Sequence, residues 1–178
     1  MKKITPFLWF DTQAEEAMNF YTAIFKNSEI LGVARGPDGK ATSVSFRLED
    51  QEFIAFNAGP EFKFTEAISF FVDCKDQREV DELWKKLTAD GGEESMCGWL
   101  KDKYGLSWQI IPSALSKMLG DPDPEKARRV TEAMLKMHKI DVETLEQAYN
   151  HLSLEMAEPA RMRAEINRTF TNEKQKQI

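Results

Sequence analysis

A length of 178 residues predicts one domain with room for an appendage. Apolar residues make up 42% of the chain and charged residues 30%, and the mean hydropathy is −0.50, which excludes both a membrane protein and a wholly unfolded one. Lys and Arg number 24 against 30 Asp and Glu, a net charge of −6. No general nucleic-acid binding is expected of such a chain, because phosphate recognition needs a positive surface field.

The chain opens with Met1-Lys2-Lys3 and the apolar stretch 4–10, which has the look of a signal peptide. The stretch contains Pro6, ends at Asp11, runs into Glu15 and Glu16, and has no small-residue cleavage site, so export is rejected. No apolar run nears the roughly 18 residues a membrane span needs. A cytoplasmic protein with reduced thiols at Cys74 and Cys97 is expected.

Residues 4–10 alternate and read as a strand. From Thr12 the apolar residues Ala14, Ala17, Met18, Tyr21, Ala23, Ile24 and Phe25 recur at helical spacing, ended by Asn27-Ser28. Strands follow over 29–34, 43–48 and 53–57, punctuated by Gly36-Pro37-Asp38-Gly39, Glu49-Asp50 and Gly59-Pro60. The order then restarts. Residues 67–74 read as a strand, and Asp76 opens a helix with Val80, Leu83, Trp84 and Leu87 on one face. Gly91-Gly92 stops that helix, and strands over 94–100 and 106–111 flank a turn at 101–105.

A shift of 64 residues (68 − 4) lays one half on the other: Ile4 meets Ile68, Phe7 meets Phe71, Gln13 meets Gln77, Glu15 meets Glu79, and Phe20 meets Trp84. Each half reads as βαβββ, giving modules over 1–60 and 66–112 of one α+β domain, 1–112. One such unit leaves a sheet face bare. Two can curl their sheets together with helices outside and enclose a cleft.

Beyond Pro112 the composition shifts. Asp123 and Pro124 suit the cap and first position of a helix carrying Val130, Met134, Leu135 and Met137. Asp141 caps a second helix bearing Val142, Leu145, Ala148, Tyr149 and Leu152, which Pro159 ends. The expected division is a helical extension over 113–158 and a polar tail over 159–178. In the segment 160–178 five Lys or Arg face two Glu, a charge of +3, which reads as a solvated tail.

Several stretches together resemble the PhnB-like branch of the vicinal oxygen chelate superfamily, which also holds glyoxalases, bleomycin-resistance proteins and dioxygenases. They are Phe7-Leu8-Trp9-Phe10-Asp11, Ala14-Glu15-Glu16-Ala17, Phe20-Tyr21, Phe53-Ile54-Ala55-Phe56-Asn57 with Gly59-Pro60, Ala67-Ile68-Ser69-Phe70, Glu79-Val80-Asp81, Cys97-Gly98-Trp99-Leu100-Lys101-Asp102, Gly105-Leu106-Ser107-Trp108-Gln109, and the helix over 121–137. The resemblance covers residues 1 to about 150. Members close to this pattern often carry the label 3-demethylubiquinone-9 3-methyltransferase. What the resemblance implies is a glyoxalase-like curved mixed sheet of two βαβββ modules around a cleft, and usually a homodimer.

Metal-dependent members of that superfamily hold a divalent ion with His or Glu from the first strand of each module and Glu from the last. Counting along the strands places Thr5 and Ser69 at the two first-strand positions, and Gln109 at a last-strand position whose counterpart falls near Ile54, with Asn57 beyond. Hydroxyls and an amide are poor primary ligands for transition metals, so no metal and no cofactor are expected. A methyltransferase using S-adenosylmethionine would commonly show a glycine-rich loop after a parallel strand, and the nearest glycine cluster, Gly91-Gly92, ends a helix.

The expectation that remains is a cleft lined by aromatic and small polar groups. By strand alternation Thr5, Phe7 and Trp9 share a face, as do Ser69, Phe71 and Asp73, and Ser107, Gln109 and Ile111. Trp99 and Asn57 complete the wall. Such a pocket suits a flat or amphipathic small molecule. Core packing by the same aromatics is the plainer alternative. Cys74 and Cys97 lack a neighbouring histidine and read as structural. Asp73, Asp76, Asp102 and Glu66 show no spacing diagnostic of acid–base catalysis. Two other readings stay open: an enzyme of the superfamily, as lyase, dioxygenase or the labelled methyltransferase, and an interaction module acting through the C-terminal helices.

Overall fold

Residues 3–150 are described by a computed structural model. Strand β1 (Phe7–Phe10), helix α1 (Ala14–Ile24) and strands β2 (Ser28–Arg35), β3 (Ala41–Leu48) and β4 (Gln51–Asn57) form the first module. Its sheet runs β1-β4-β3-β2, with β1 parallel to β4 and the other pairs antiparallel. Strand β5 (Ser69–Cys74), helix α2 (Gln77–Leu87) and strands β6 (Glu93–Glu94), β7 (Trp99–Lys101) and β8 (Ser107–Pro112) repeat the plan as β5-β8-β7-β6, again with one parallel pair. The fold is thus the expected α+β pairing of βαβββ modules. No helix among the described residues is long and apolar enough to cross a membrane.

Two strands differ from the sequence expectation for local reasons. The predicted strand over 4–10 begins only at Phe7, after Pro6, which has no N–H to give a ladder. The predicted strand over 94–100 is broken into β6 and β7. Cys97 and Gly98 stand between them in the left-handed region, at φ 59° and 83°. That turn carries the Cys97 and Gly98 amides to the carbonyls of Met137 and His138, at 2.8 and 2.7 Å. A Cβ on Gly98 would fall 2.6 Å from Ile111 Cδ1 and 3.1 Å from Ile140 Cγ1, so only glycine allows this approach.

Alternation in the strands and helical spacing in α1 and α2 build one shared core. From the first sheet come Leu8, Phe10, Val44, Phe46, Leu48, Phe53 and Ala55, from the second Leu100, Trp108 and Ile110, and the helices add Tyr21, Val80, Leu83 and Leu87. Aromatic rings carry the packing across the module boundary: Phe53 meets Phe70 at 5.0 Å, and Trp108 meets Phe25 at 5.4 Å and Tyr21 at 5.5 Å. Asp102, only 2% exposed, sits in this boundary. One carboxylate oxygen accepts from the Tyr104 and Leu106 amides, at 2.9 and 3.1 Å, and shapes the β7–β8 turn. The other accepts from the Tyr21 hydroxyl at 2.7 Å and Trp108 Nε1 at 2.9 Å. A buried carboxylate with four donors is tolerated, and this one ties α1 to the second module.

The C-terminal region forms helices α3 (Ser113–Leu119), which the sequence reading did not foresee, α4 (Pro124–Met134) and α5 (Val142–Asn150). Asp123 caps α4, accepting from the Glu125 amide, and Asp141 accepts from the Thr144 amide at the start of α5. These helices close a second small core of Ile111, Leu115, Val130, Ile140 and Leu145. The Gln77 side chain fastens it to α2 by donating to Ile140 O and accepting from Val142 N. Leu152, Pro159 and the predicted tail over 159–178 lie outside the described residues.

Candidate functional site

Because each sheet gives one face to the shared core, its other face is turned away from that core. On the first sheet the outward face carries Phe7 beside Ile54 and Trp9 beside Phe56, with Ser45 and Ser43 next in register on β3. Phe56 packs edge-on to Phe7 at 4.9 Å and to Trp9 at 4.8 Å. On the second sheet two rows stand out. Ser69, Ser107 and Lys101 lie side by side across β5, β8 and β7, and Phe71, Gln109 and Trp99 form the next row. Gln109 Nε2 donates to Ser69 Oγ at 2.8 Å. The third row ends in Ile111, which the C-terminal helices cover. At the other end Glu66, from the segment joining the modules, meets Lys101 at 2.5 Å.

Four candidate residues, Ser69, Phe71, Trp99 and Gln109, are therefore gathered on one surface, and Phe7 and Trp9 on another. Thr5 lies two residues before β1, half-buried. Asn57 is not on an outward face. It pairs with Phe10 in register, its Oδ1 accepts from the Ala14 amide at 2.8 Å, and its Nδ2 donates to Ala41 O at 3.0 Å. It holds the start of α1, so its amide is already engaged.

The expected hollow between the halves of a single chain is corrected by this arrangement. The sheets do not close on one another, since their helix-bearing faces fill the shared core. Open cavities sit at the module seam instead, and two of them touch candidate residues. One of about 470 Å³ lies at the end of β1, between Trp9, Phe62, Phe64 and Tyr104, with Lys63 and Lys103 beside them. The other, of about 460 Å³, follows β5 between Phe25, Phe53, Phe70, Phe71 and Trp108. Trp9 belongs to the first and Phe71 to the second, so neither joins the two candidate groups.

Sequence reasoning missed Tyr104, Phe62, Lys101 and the role of Asp102. The turn at 101–105 is legible in the sequence, but the partner of Asp102 at Tyr21 is distant in sequence. Tyr104 donates to Glu16 Oε1 at 2.7 Å, as does Lys103 at 2.9 Å. These bonds hold the Glu16 carboxyl below its ordinary range, while burial and then Glu16 push the Tyr104 phenol up. Lys101 likewise holds the Glu66 carboxyl low, and Glu66 raises the Lys101 ammonium. Burial pushes the Cys74 thiol up to about 12, away from nucleophilic use.

The superfamily's divalent ion does not fit the residues at its usual corners. Thr5, Ser69 and Gln109 offer neutral oxygens, Ile54 offers none, and Ser69 Oγ already receives the Gln109 amide. Among the described residues no three His, Cys, Asp or Glu side chains converge.

Paired βαβββ modules with bare outward sheet faces define a glyoxalase-like protein. Residues 2–111 match the family model described as 3-demethylubiquinone-9 3-methyltransferase, and the chain belongs to that family. A PhnB protein from Bacillus cereus, described with the same methyltransferase name, is 38% identical, with a TM-score of 0.59, over 63% of this chain and 100% of its own. The protein PA1353 from Pseudomonas aeruginosa is 16% identical, with a TM-score of 0.53, over 63% of this chain and 98% of its own. A glyoxalase/bleomycin resistance protein from Albidiferax ferrireducens T118 matches more loosely, at 13% identity and a TM-score of 0.43, over 58% of this chain and 92% of its own. No curated protein matches the chain.

Proposed function

We propose that this is a cytoplasmic, homodimeric binding protein for a flat or amphipathic small organic molecule. It receives its ligand without a metal, in a cleft that two copies build together: the outward face of the second sheet from one copy and that of the first sheet from the other. The observation that carries this reading is a matched pair of exposures. Ile4 and Ile68, related by the repeat, are 85% and 71% exposed, and Phe7 and Phe71 are 58% and 55% exposed. Both pairs lie at or just before β1 and β5, each an edge strand of its sheet. Large apolar groups repeated at two sheet edges call for a cover, and a second copy related by a two-fold axis covers both at once. The cleft so formed has aromatic walls at Phe7, Trp9, Phe71 and Trp99, with Ser69 and Gln109 as polar handles. Thr5, just before β1, stands at its edge.

Sedimentation equilibrium tests the assembly: the wild type is expected as a dimer, and Phe7→Asp or Phe71→Asp as a folded monomer. Calorimetry tests the ligand class, with 2,3-dimethoxy-5-methyl-1,4-benzoquinone binding and S-adenosylmethionine silent. Heat from S-adenosylmethionine would move the reading to the methyltransferase, and a full equivalent of transition metal in the purified protein would end the metal-free reading.

A further inference from the structure

The described residues contain one buried side-chain atom without a hydrogen-bond partner, Ser107 Oγ, in a residue only 1% exposed. Its place in the sheet says which way it points. Trp108 faces the shared core, so Ser107 belongs with Gln109 on the outward face. Ser69 and Lys101 are its neighbours in register. The Ser69 oxygen is occupied by the Gln109 amide, which leaves its own proton to give. A row of donors results: two hydroxyls and an ammonium, next to the row of Phe71, Gln109 and Trp99. A buried donor without an acceptor is costly and rare in a folded protein, so Ser107 Oγ, flanked by the half-buried Ser69 and Lys101, calls for an acceptor from outside.

One acceptor is already at the end of the row. The Glu66 carboxylate caps Lys101 from the inter-module segment, with 61% of its side chain exposed. An ion pair this wet contributes little and exchanges readily. Across the same row, Glu93 pairs with Lys101 in register on β6.

We propose that the second-sheet half of the cleft takes an aromatic carboxylate, and that Glu66 is the resident group it displaces. This rests on the cleft reading above and specifies its ligand. The ring lies between Phe71 and Trp99. The ligand carboxylate replaces that of Glu66 on Lys101 and accepts from the Ser107 and Ser69 hydroxyls. A charge-assisted bond to an ammonium, reinforced by hydroxyls, is the strong contact of the set.

Calorimetry with 2-naphthoate and its neutral methyl ester, on the full chain, tests this. The acid is expected to bind tighter than the ester. Glu66→Gln should tighten the acid by roughly threefold, the scale of one exposed ion pair removed from competition. Lys101→Met should weaken it by about tenfold or more, and Ser107→Ala by roughly fivefold. The ester should respond to none of the three. Equal binding of acid and ester, or an acid affinity that ignores Glu66→Gln and Lys101→Met, overturns the carboxylate assignment and leaves the cleft standing. If neither compound binds, and a neutral quinone does not either, the cleft reading falls with it. Circular dichroism and sedimentation of each variant separate loss of binding from loss of fold.

Discussion

Tyr21→Phe isolates one bond of the buried contact between the modules. The substitution keeps the ring, which stacks on Phe46 at 6.1 Å and leans on Trp108 at 5.5 Å, and removes only the hydroxyl donated to Asp102. Asp102 then keeps three donors of four. A hydrogen bond to a charged, buried acceptor is worth about 1.5–3 kcal/mol, and the lower figure applies because the remaining donors share the charge. With a urea dependence of about 2 kcal/mol per molar, the unfolding midpoint should fall by roughly 0.7 M, with slope unchanged. Asp102→Ala strands all four donors and should cost about 4 kcal/mol or more, a large part of the 5–15 kcal/mol that holds a typical domain together. The assay is urea unfolding followed by tryptophan fluorescence, since Trp108 reports the site directly. An unmoved midpoint for Tyr21→Phe, with Asp102→Ala as stable as wild type, would falsify the view that this carboxylate joins the modules.

The remaining expectations concern pH, the C-terminal helices and the thiols. Burial raises the Asp102 carboxyl above its usual value of 3.8 despite its four bonds. A raised folded value stabilises the folded state below the unfolded pKa and loses that contribution as pH climbs through it. Wild type should therefore gain stability relative to Asp102→Asn as pH falls through the raised folded value toward the ordinary 3.8; a gap that narrows on acidification sinks the argument. Gly98→Ala must accept both a left-handed backbone and a Cβ 2.6 Å from Ile111 Cδ1. Thermal unfolding should show a loss of about 2–3 kcal/mol, and exchange of the Cys97 and Gly98 amides with solvent should speed up. Cys74, buried and with its thiol raised to about 12, should stay unalkylated by iodoacetamide at pH 8 in the folded protein, as read by mass spectrometry; prompt labelling would contradict its burial.

Much of the outline was legible in the chain. The order of elements, the repeat at 64 residues and the faces of the strands follow from spacing, because a strand alternates with period two whatever surrounds it. The same rule placed Ser69, Phe71 and Gln109 on one face. Asn57, added to the wall without a place in that alternation, falls on the inner face instead, paired with Phe10. Its amide answers a need of α1, whose first residue, Ala14, donates its backbone N–H to Asn57 Oδ1. The break of the predicted strand over 94–100 was equally hidden, since it depends on carbonyls at Met137 and His138 some forty residues away.

Sequence alone determined that two βαβββ halves exist and which side chains share a face in each. Only the tertiary structure decided that the halves meet through their helix-bearing faces, so that both aromatic faces look outward. Periodicity is a local property of the backbone and is written in every few residues. The choice of which faces come together rests on contacts such as Phe53 with Phe70 and Tyr21 with Asp102, whose free energy exists only once distant segments have met.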